Sequence, residues 1–272
     1  MELNRLYNMD CMDGMRGFPD KFFDLAIVDV PYGIGAGDYD RGGIRAGNAK
    51  AVSTAYTRKG WDKEPPPPDY FTELMRVSKN QIIWGANHFI SRLPLDSPCW
   101  IVWDKDNGSN DYADCELAWT SFNTAVRRFT FKWHGMLQGN MKDKEHRIHP
   151  TQKPVALYSW QLSRYAKPGH RIIDTHAGSA SSLIACHRHG LEFIGFEIDP
   201  EYYAAAAERL RAEMAQMRFD LTPQIERTEH IQGSIFSGGG VLIAYSHTRR
   251  GTGTYKKKNI PELRAYENIG VA

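Results

Sequence analysis

The sequence has few cysteines, no long apolar run and little net charge, and each shortage excludes a class of protein. The four cysteines, Cys11, Cys99, Cys115 and Cys186, have no paired spacing, which excludes a zinc-binding arrangement and a disulfide framework. No apolar run approaches the roughly 18–20 residues that span a membrane, and the first residues lack the apolar core of a signal peptide. The net charge of +2 does not by itself indicate nucleic acid binding. We therefore expect a cytoplasmic protein with no metal site and no membrane partner.

An apolar run near the start of the chain ends in chemically distinctive residues. Ala-Ile-Val at 26–28 is followed by Asp29, Val30, Pro31, Tyr32 and a glycine. A short apolar run closed by turn residues is typical of a buried parallel strand. Ligands of open α/β sheets bind beyond the carboxyl ends of the strands, so we expect this stretch at the mouth of a site. A carboxylate there can accept a hydrogen bond from an amino group, and a ring can stack on a flat base.

A second apolar run, at 171–173, also ends in an acid. Asp174 is followed by Thr175, His176, Ala177, Gly178, Ser179 and Ala180, and then by a predicted helix. Small residues allow the backbone to approach a ligand closely, and a helix N-terminus favours negative charge. Glu197 ends the next predicted strand, where an acid can accept both ribose hydroxyls of a nucleoside. These residues alone leave NAD and S-adenosylmethionine open as ligands.

Strands and helices alternate along most of the chain. This alternation predicts a mostly parallel sheet with right-handed crossovers. The regular pattern stops near Phe219. We therefore expect a catalytic domain over residues 1–218 and a C-terminal tail or extension of unknown role over 219–272.

Four segments together resemble a known family. Asp29 to Tyr32 resembles the Asp-Pro-Pro-Tyr motif of amino-group DNA methyltransferases, with Val30 in place of the first Pro. The loop at 174–180 resembles the family's Asp-Pro-Phe-x-Gly-Ser-Gly motif, and 151–154 resembles its Thr-x-Lys-Pro element. Residues 8–11 resemble the segment whose acid receives the cofactor's adenine amino group. The order of these segments is similar to the β-type permutation, as in phage and prophage methylases.

The resemblance implies a fold, a cofactor and a site. The fold would be a circularly permuted, Rossmann-like class I methyltransferase fold, with a mostly parallel seven-stranded sheet and helices on both faces. Asp29 and the Val30 carbonyl would accept the target amine's N–H bonds, Tyr32 would stack on a flipped base, and Pro31 completes this catalytic motif. Lys153 would face the carboxylate of the cofactor's methionine. S-adenosyl-L-methionine would be held by Asp10, Cys11, Thr151, Lys153, Asp174, Thr175, His176, Gly178, Ser179, Ala180 and Glu197.

Two basic segments are candidates for contact with double-stranded DNA. The loop at 33–63 follows the catalytic strand, and the aromatic segment at 122–147 is a short candidate target-recognition region. The residues that we expect to contact DNA are Arg41, Arg45, Arg58 and Lys59 in the first segment and Arg127, Arg128 and Lys132 in the second. The alternative is that both are solvated loops. A homodimer, in which a second subunit shares target reading, also stays open.

The resemblance implies methyl transfer to N6 of adenine, because Asp rather than Ser occupies the first position of the catalytic motif. A cytosine-N4 methyltransferase is the alternative within the family. A catalytically silent DNA- or cofactor-binding relative is a second alternative. An NAD-dependent oxidoreductase would explain Gly178 and Glu197 but would leave Asp29 and Lys153 unexplained.

Overall fold

A computed structural model describes residues 1–36, 59–93, 96–108, 113–134 and 137–220, with side chains up to residue 216. The described residues belong to one compact unit, Met1–Pro223. Arg41, Arg45, Arg58 and nearly all of the predicted 219–272 extension lie outside the described residues.

The described residues contain ten strands. Eight form one sheet in the order β1-β10-β9-β2-β3-β5-β4-β6, and β7 pairs with β8 in a small hairpin. In chain order the strands are β1 (Arg5–Asn8), β2 (Phe23–Asp29), β3 (Ser78–Trp84), β4 (Trp100–Asp104), β5 (Cys115–Thr120), β6 (Arg127–Thr130), β7 (Trp133–His134), β8 (Leu137–Gln138), β9 (Arg171–Asp174) and β10 (Glu192–Glu197).

The large sheet is parallel except for β5, which runs antiparallel to β3 and β4. The predicted mostly parallel sheet is therefore confirmed, but its predicted count of seven strands is one too low. The additional strand is β6, which pairs with β4 at the sheet edge. Its sequence, RRFT, has a mostly exposed burial pattern, and edge strands of this kind carry little of the apolar signal that marks a buried strand.

Helices cover both faces of the sheet, as the sequence predicted. The helices are α1 (Cys11–Arg16), α2 (Pro68–Val77), α3 (Val155–Tyr165), α4 (Ser181–Arg188) and α5 (Pro200–Asp220). Side chains of β2 alternate between the two faces, because successive strand residues point to opposite sides. Leu25 and Ile27 pack in one core cluster with residues of α3, α4 and α5, whereas Ala26 and Val28 pack in the other with residues of α1 and α2.

The strand order determines where a site can form. Strands β1, β10, β9 and β2 are parallel neighbours, so their carboxyl ends share one edge of the sheet. Asp10, Glu197, Asp174 and Asp29 lie at or just beyond these four ends. In the described part of the chain, no helix is long and apolar enough to cross a membrane.

Candidate active site

Asp29, the last residue of β2, is anchored through one of its two carboxylate oxygens. Its Oδ1 accepts hydrogen bonds from the Tyr32 hydroxyl at 2.7 Å and from Lys153 Nζ at 2.5 Å. Its Oδ2 has no hydrogen-bond partner among the described residues, and 16% of the side chain is exposed. The acid is therefore held in a fixed orientation through Oδ1, while Oδ2 is free of partners from the described residues.

Lys153 has buried partners that the sequence did not reveal. Its buried ammonium lies between two carboxylates, 2.5 Å from Asp29 Oδ1 and 3.0 Å from Glu116 Oε2, and also donates to the Tyr32 hydroxyl at 3.0 Å. A buried ammonium requires counter-charges, and these two acids supply them. Lys153 therefore belongs to the Asp29 cluster, and its contact with a cofactor carboxylate stays a prediction.

Burial and charge shift the pKa values of this cluster. Burial raises the pKa of Asp29, and the charge of Lys153 opposes the increase. Burial alone would lower the pKa of Lys153, but the charges of Asp29 and Glu116 raise it above its ordinary value. Burial alone would raise the pKa of Glu116, but the charges of Lys153 and Lys105 lower it to about 2. Lys153 and Glu116 consequently remain charged at neutral pH.

Glu116 is a candidate site residue that the sequence did not reveal. It lies near the start of β5, and Lys105 Nζ is 2.5 Å from its Oε1. Because β5 is antiparallel to its neighbours, its amino end reaches the edge where the other strands end. A strand-start acid is not a motif, and strand direction is not encoded locally, so the sequence carried no signal for this residue.

Tyr32 packs closely against the end of β3. Its ring stacks on the exposed ring of His88, with centroids 5.2 Å apart and an angle of 15° between the planes. A Cβ atom at Gly85 would lie 1.9 Å from the Tyr32 ring, so only glycine fits there. Val30 is buried, and Pro31 is partly exposed. Stacking of Tyr32 on a base and a role for the Val30 carbonyl stay predictions.

Asp174 and the two residues after it form a buried polar group. Asp174 Oδ1 accepts from the His176 amide at 3.0 Å, and Oδ2 accepts from the Ser182 hydroxyl. Burial raises the pKa of Asp174 to about 7 and lowers that of His176 to about 4. The Thr175 hydroxyl is 2.6 Å from the hydroxyl of Tyr70, a contact that the sequence did not predict.

Residues 177–180, the second half of the predicted loop at 174–180, contact Glu197. The Gly178 amide donates to Glu197 Oε2 at 2.9 Å, and Gly178 adopts the left-handed region with φ of +52°. Ser179 and Ser181 hydroxyls are 3.0 Å apart, and the buried Ala180 precedes α4. The Asp199 amide donates to Glu197 Oε1 at 2.9 Å, while burial raises the pKa of Glu197.

The remaining predicted cofactor residues have visible structural roles. Asp10 is exposed and caps α1, accepting from the Met12 amide at 2.7 Å. Burial raises the pKa of the neighbouring Cys11 thiol to about 12. The Thr151 hydroxyl is 3.1 Å from His149 Nδ1. Whether these residues also contact a cofactor stays a prediction.

The acids at this edge fit the chemistry of S-adenosylmethionine. Asp10, Glu197 and Asp174 follow three adjacent strands, and the buried Asp174 has no ion-pair partner among the described residues. Carboxylates accept hydrogen bonds from ribose hydroxyls and ammonium groups, and they attract a positively charged sulfonium. The donor set therefore suits a nucleoside that carries positive charge.

The structure places the predicted DNA-contacting residues in different surroundings. Lys59 Nζ is 2.7 Å from both Asp199 Oδ1 and Glu201 Oε2, and only 13% of its side chain is exposed. These ion pairs neutralise its charge, so its contacts do not support a phosphate-binding role. Arg127 and Arg128 are exposed on β6, and Lys132 pairs with Asp106 at 3.0 Å. The two arginines begin β6, a strand that the sequence did not predict.

Comparison with known proteins identifies the family. Residues 83–208 match the N6/N4 family that is described as DNA methylase. "Putative methylase YubD" of Escherichia coli (strain K12) is 33% identical over 233 residues, which cover 79% of this chain and 94% of that protein. "Type II methyltransferase M2.DpnII" of Streptococcus pneumoniae is 26% identical over 159 residues, 56% of this chain. That match spans only 50% of the relative's length.

Two solved structures resemble the chain more distantly. The M1.HpyAVI–SAM complex has a TM-score of 0.45 and 19% identity, and its match covers 75% of this chain and 98% of the M1.HpyAVI chain. The PvuII DNA methyltransferase (cytosine-N4-specific) has a TM-score of 0.49 and 13% identity, and its match covers 78% of this chain and 91% of the PvuII chain. The similarity to YubD over nearly its whole length, together with the family match, establishes that this chain belongs to the N6/N4 amino-group DNA methylase family, which uses S-adenosylmethionine as cofactor.

Proposed function

We propose that this DNA methyltransferase transfers a methyl group to the exocyclic N6 of an adenine that is flipped out of duplex DNA, with Asp29 as the acceptor for the target amine. The observation that carries this proposal is the asymmetric anchoring of Asp29. Lys153 and Tyr32 hold Oδ1, and Oδ2 is open among the described residues. An open carboxylate oxygen at the end of β2 can accept one N–H of an amino group.

By accepting a hydrogen bond from that N–H, Asp29 would activate a poor nucleophile. The lone pair of an adenine amino group is delocalised into the ring, so the nitrogen attacks weakly. Asp29 Oδ2, and the Val30 carbonyl beside it, would each accept one N–H bond and localise the lone pair. The carboxylate would also stabilise the positive charge that develops on the nitrogen. Holding the amine in line with the methyl donor contributes further rate through positioning.

Lys153 would keep this acceptor ionised. Burial favours the neutral carboxylic acid, which would be a poor acceptor for the amine. The ammonium of Lys153 opposes this effect from 2.5 Å. Glu116, 3.0 Å from the same ammonium, helps to keep Lys153 charged, although its own negative charge raises the pKa of Asp29. The cluster thus supplies an Asp29 carboxylate whose charge is balanced by Lys153 and whose Oδ2 would be available to the target amine.

The cofactor would be held beside this centre. When bound, S-adenosylmethionine supplies an electrophilic methyl group on a positively charged sulfur. Glu197 would accept hydrogen bonds from the ribose hydroxyls, and Asp10 from the adenine amino group. Asp174 and the loop amides from 176 to 180 would line the remainder of the site. Cys11, Thr151 and Ser179 are also proposed to contact the cofactor because of their positions.

Base access requires extrusion of the target nucleotide, because the amino group of a paired adenine is inside the duplex. Tyr32 would then stack on the flipped base. Arg127 and Arg128 remain exposed on β6, four places from β2 in the sheet order. Neighbouring strands are about 4.8 Å apart, so these arginines lie roughly 19 Å to one side of β2. That separation suits contact with the flanking phosphate backbone.

A cytosine-N4 activity is the second candidate, because both amino groups need the same acceptor geometry. Incubation of unmethylated plasmid DNA with the protein and labelled S-adenosylmethionine, followed by nucleoside analysis, distinguishes the two. We expect label in N6-methyladenine. Label in N4-methylcytosine would overturn the adenine assignment, and absence of label in both would indicate a silent relative.

A further inference from the structure

The segment Lys59–Asp62 returns the chain from the long loop to the catalytic edge, and Asp62 has an unusual set of partners there. Its side chain is buried, with 1% exposure. Its Oδ1 accepts from the Tyr32 amide at 2.5 Å and from the Gly33 amide at 2.9 Å, and its Oδ2 accepts from the Ala36 amide at 2.8 Å. One carboxylate therefore binds three backbone amides of the turn that follows Asp29.

Backbone amides of a turn have no partner within a helix or strand, and such groups are costly to bury unsatisfied. Hydrogen bonds to an ionised acceptor are about twice as strong as neutral ones. A second contact reinforces the set, since the Gly35 amide donates to the Asp62 carbonyl at 2.9 Å. Asp62 therefore fixes the backbone that carries Tyr32 and the preceding Asp29.

The turn has little freedom to settle elsewhere. Gly33 has a φ of +76°, and a Cβ atom there would lie 2.6 Å from Pro65 Cδ. The Lys59–Asp62 segment is itself anchored on the cofactor side of the edge. The ring of Trp61 lies 5.3 Å from that of His149, and Lys59 pairs with Asp199 at 2.7 Å. Asp62 is therefore presented by a segment that is attached to the rest of the site.

We propose that Asp62 is a positioning residue for methyl transfer: its carboxylate fixes the turn at 32–36, and this keeps Asp29 and Tyr32 aligned with the target base. The inference rests on the proposed catalytic role of Asp29. Asp62 does not touch the reacting atoms. Its effect should therefore fall on the rate at saturating substrate, and binding of S-adenosylmethionine should be retained.

Two substitutions separate positioning from general stability. Asp62→Ala removes all three bonds, whereas Asp62→Asn keeps an oxygen for Tyr32 and Gly33 but points an amino group at the Ala36 amide. Asp24→Asn is the matched control. Asp24 lies near the start of β2, the strand that ends at Asp29, where it accepts from the Arg171 amide at 2.9 Å and pairs with Lys79 at 2.7 Å.

The readouts are kcat on duplex DNA, the Kd of S-adenosylmethionine by calorimetry, and amide hydrogen exchange of residues 32–36. Because a displacement near 1 Å can cost about 100-fold, we expect kcat to fall about 100-fold in Asp62→Ala and about 10-fold in Asp62→Asn. The cofactor Kd should stay within about 2-fold of the wild-type value. The turn amides should exchange faster in both variants, and Asp24→Asn should keep the wild-type kcat and exchange.

Three results would overturn the proposal: an Asp62→Ala kcat within about 2-fold of wild type, unchanged exchange at 32–36, or an equal loss of kcat in Asp24→Asn. If Asp62→Ala does not fold, the same criteria applied to Asp62→Asn decide. If the wild-type protein methylates no DNA, the proposed function fails. The exchange measurement then still decides whether Asp62 fixes the turn, because it needs no activity.

Discussion

Replacement of Lys153 by methionine tests the buried charge cluster, because it removes the one cation between Asp29 and Glu116. The substitution preserves most of the side-chain volume, so packing should change little. Two carboxylates would then share the site without the ammonium that lies 2.5 Å and 3.0 Å from them. Like charges and burial would together favour protonation of Asp29.

The size of the effect follows from the interaction that is lost. A hydrogen bond to a charged group contributes about 1.5–3 kcal/mol, and about 1.4 kcal/mol corresponds to one pKa unit. The pKa of Asp29 should therefore rise by about 1–2 units in Lys153→Met. The target amine requires the ionised acid, so activity is lost below this pKa and returns as the pH rises. Breaking the buried pair should also lower the free energy of unfolding by about 3–5 kcal/mol.

The assay is the pH dependence of kcat for wild type and Lys153→Met, with urea unfolding measured in parallel. Lys105→Met is the matched control, since Lys105 pairs with Glu116 at 2.5 Å and is not among the described hydrogen-bond partners of Asp29. We expect the acid limb to move upward by about 1–2 pH units in Lys153→Met, and much less in the control. An acid limb at the wild-type pH with full kcat would refute the view that Lys153 keeps Asp29 ionised.

Three further predictions concern the cofactor side, the DNA side and the pH dependence of stability. Glu197→Ala should weaken S-adenosylmethionine binding by about 1.5–3 kcal/mol in calorimetry; unchanged affinity would remove Glu197 from the site. Arg127→Ala combined with Arg128→Ala should lower the salt dependence of duplex binding by about one unit of slope per lost phosphate contact. Parallel salt titrations with equal intercepts would exclude this segment from DNA contact. Burial lowers the pKa of His149 to about 3, so its folded form resists the protonation that the unfolded chain undergoes below pH 6.5. Wild type should therefore lose about 3 kcal/mol more unfolding free energy than His149→Gln between pH 7 and pH 4, and equal losses would contradict this.

Local motifs predicted the fold class because they report strand ends. The apolar runs before Asp29 and Asp174 marked parallel strands, and the four acids that follow neighbouring strands meet at one edge. The same signal was weak for β6, whose residues are mostly exposed. The predicted sheet was therefore one strand short.

The partners of the site residues could not be predicted, because they depend on tertiary contacts. Lys153 lies 124 residues from Asp29 in sequence, and no local pattern indicates which acid a buried lysine meets. Glu116 reaches the site only because β5 runs antiparallel. Lys59 was expected to contact DNA from its place in a basic loop, yet it pairs with two acids at the start of α5.

The most direct test of the central claim compares wild type with Asp29→Ala in transfer of labelled methyl groups from S-adenosylmethionine to duplex DNA. In the proposed mechanism Asp29 faces the target amine, and the cofactor contacts come from other residues. We expect N6-methyladenine from the wild-type protein, no detectable product from Asp29→Ala, and similar cofactor Kd values for the two proteins. Methylation by Asp29→Ala at the wild-type rate would contradict the assignment of Asp29 as the catalytic acceptor.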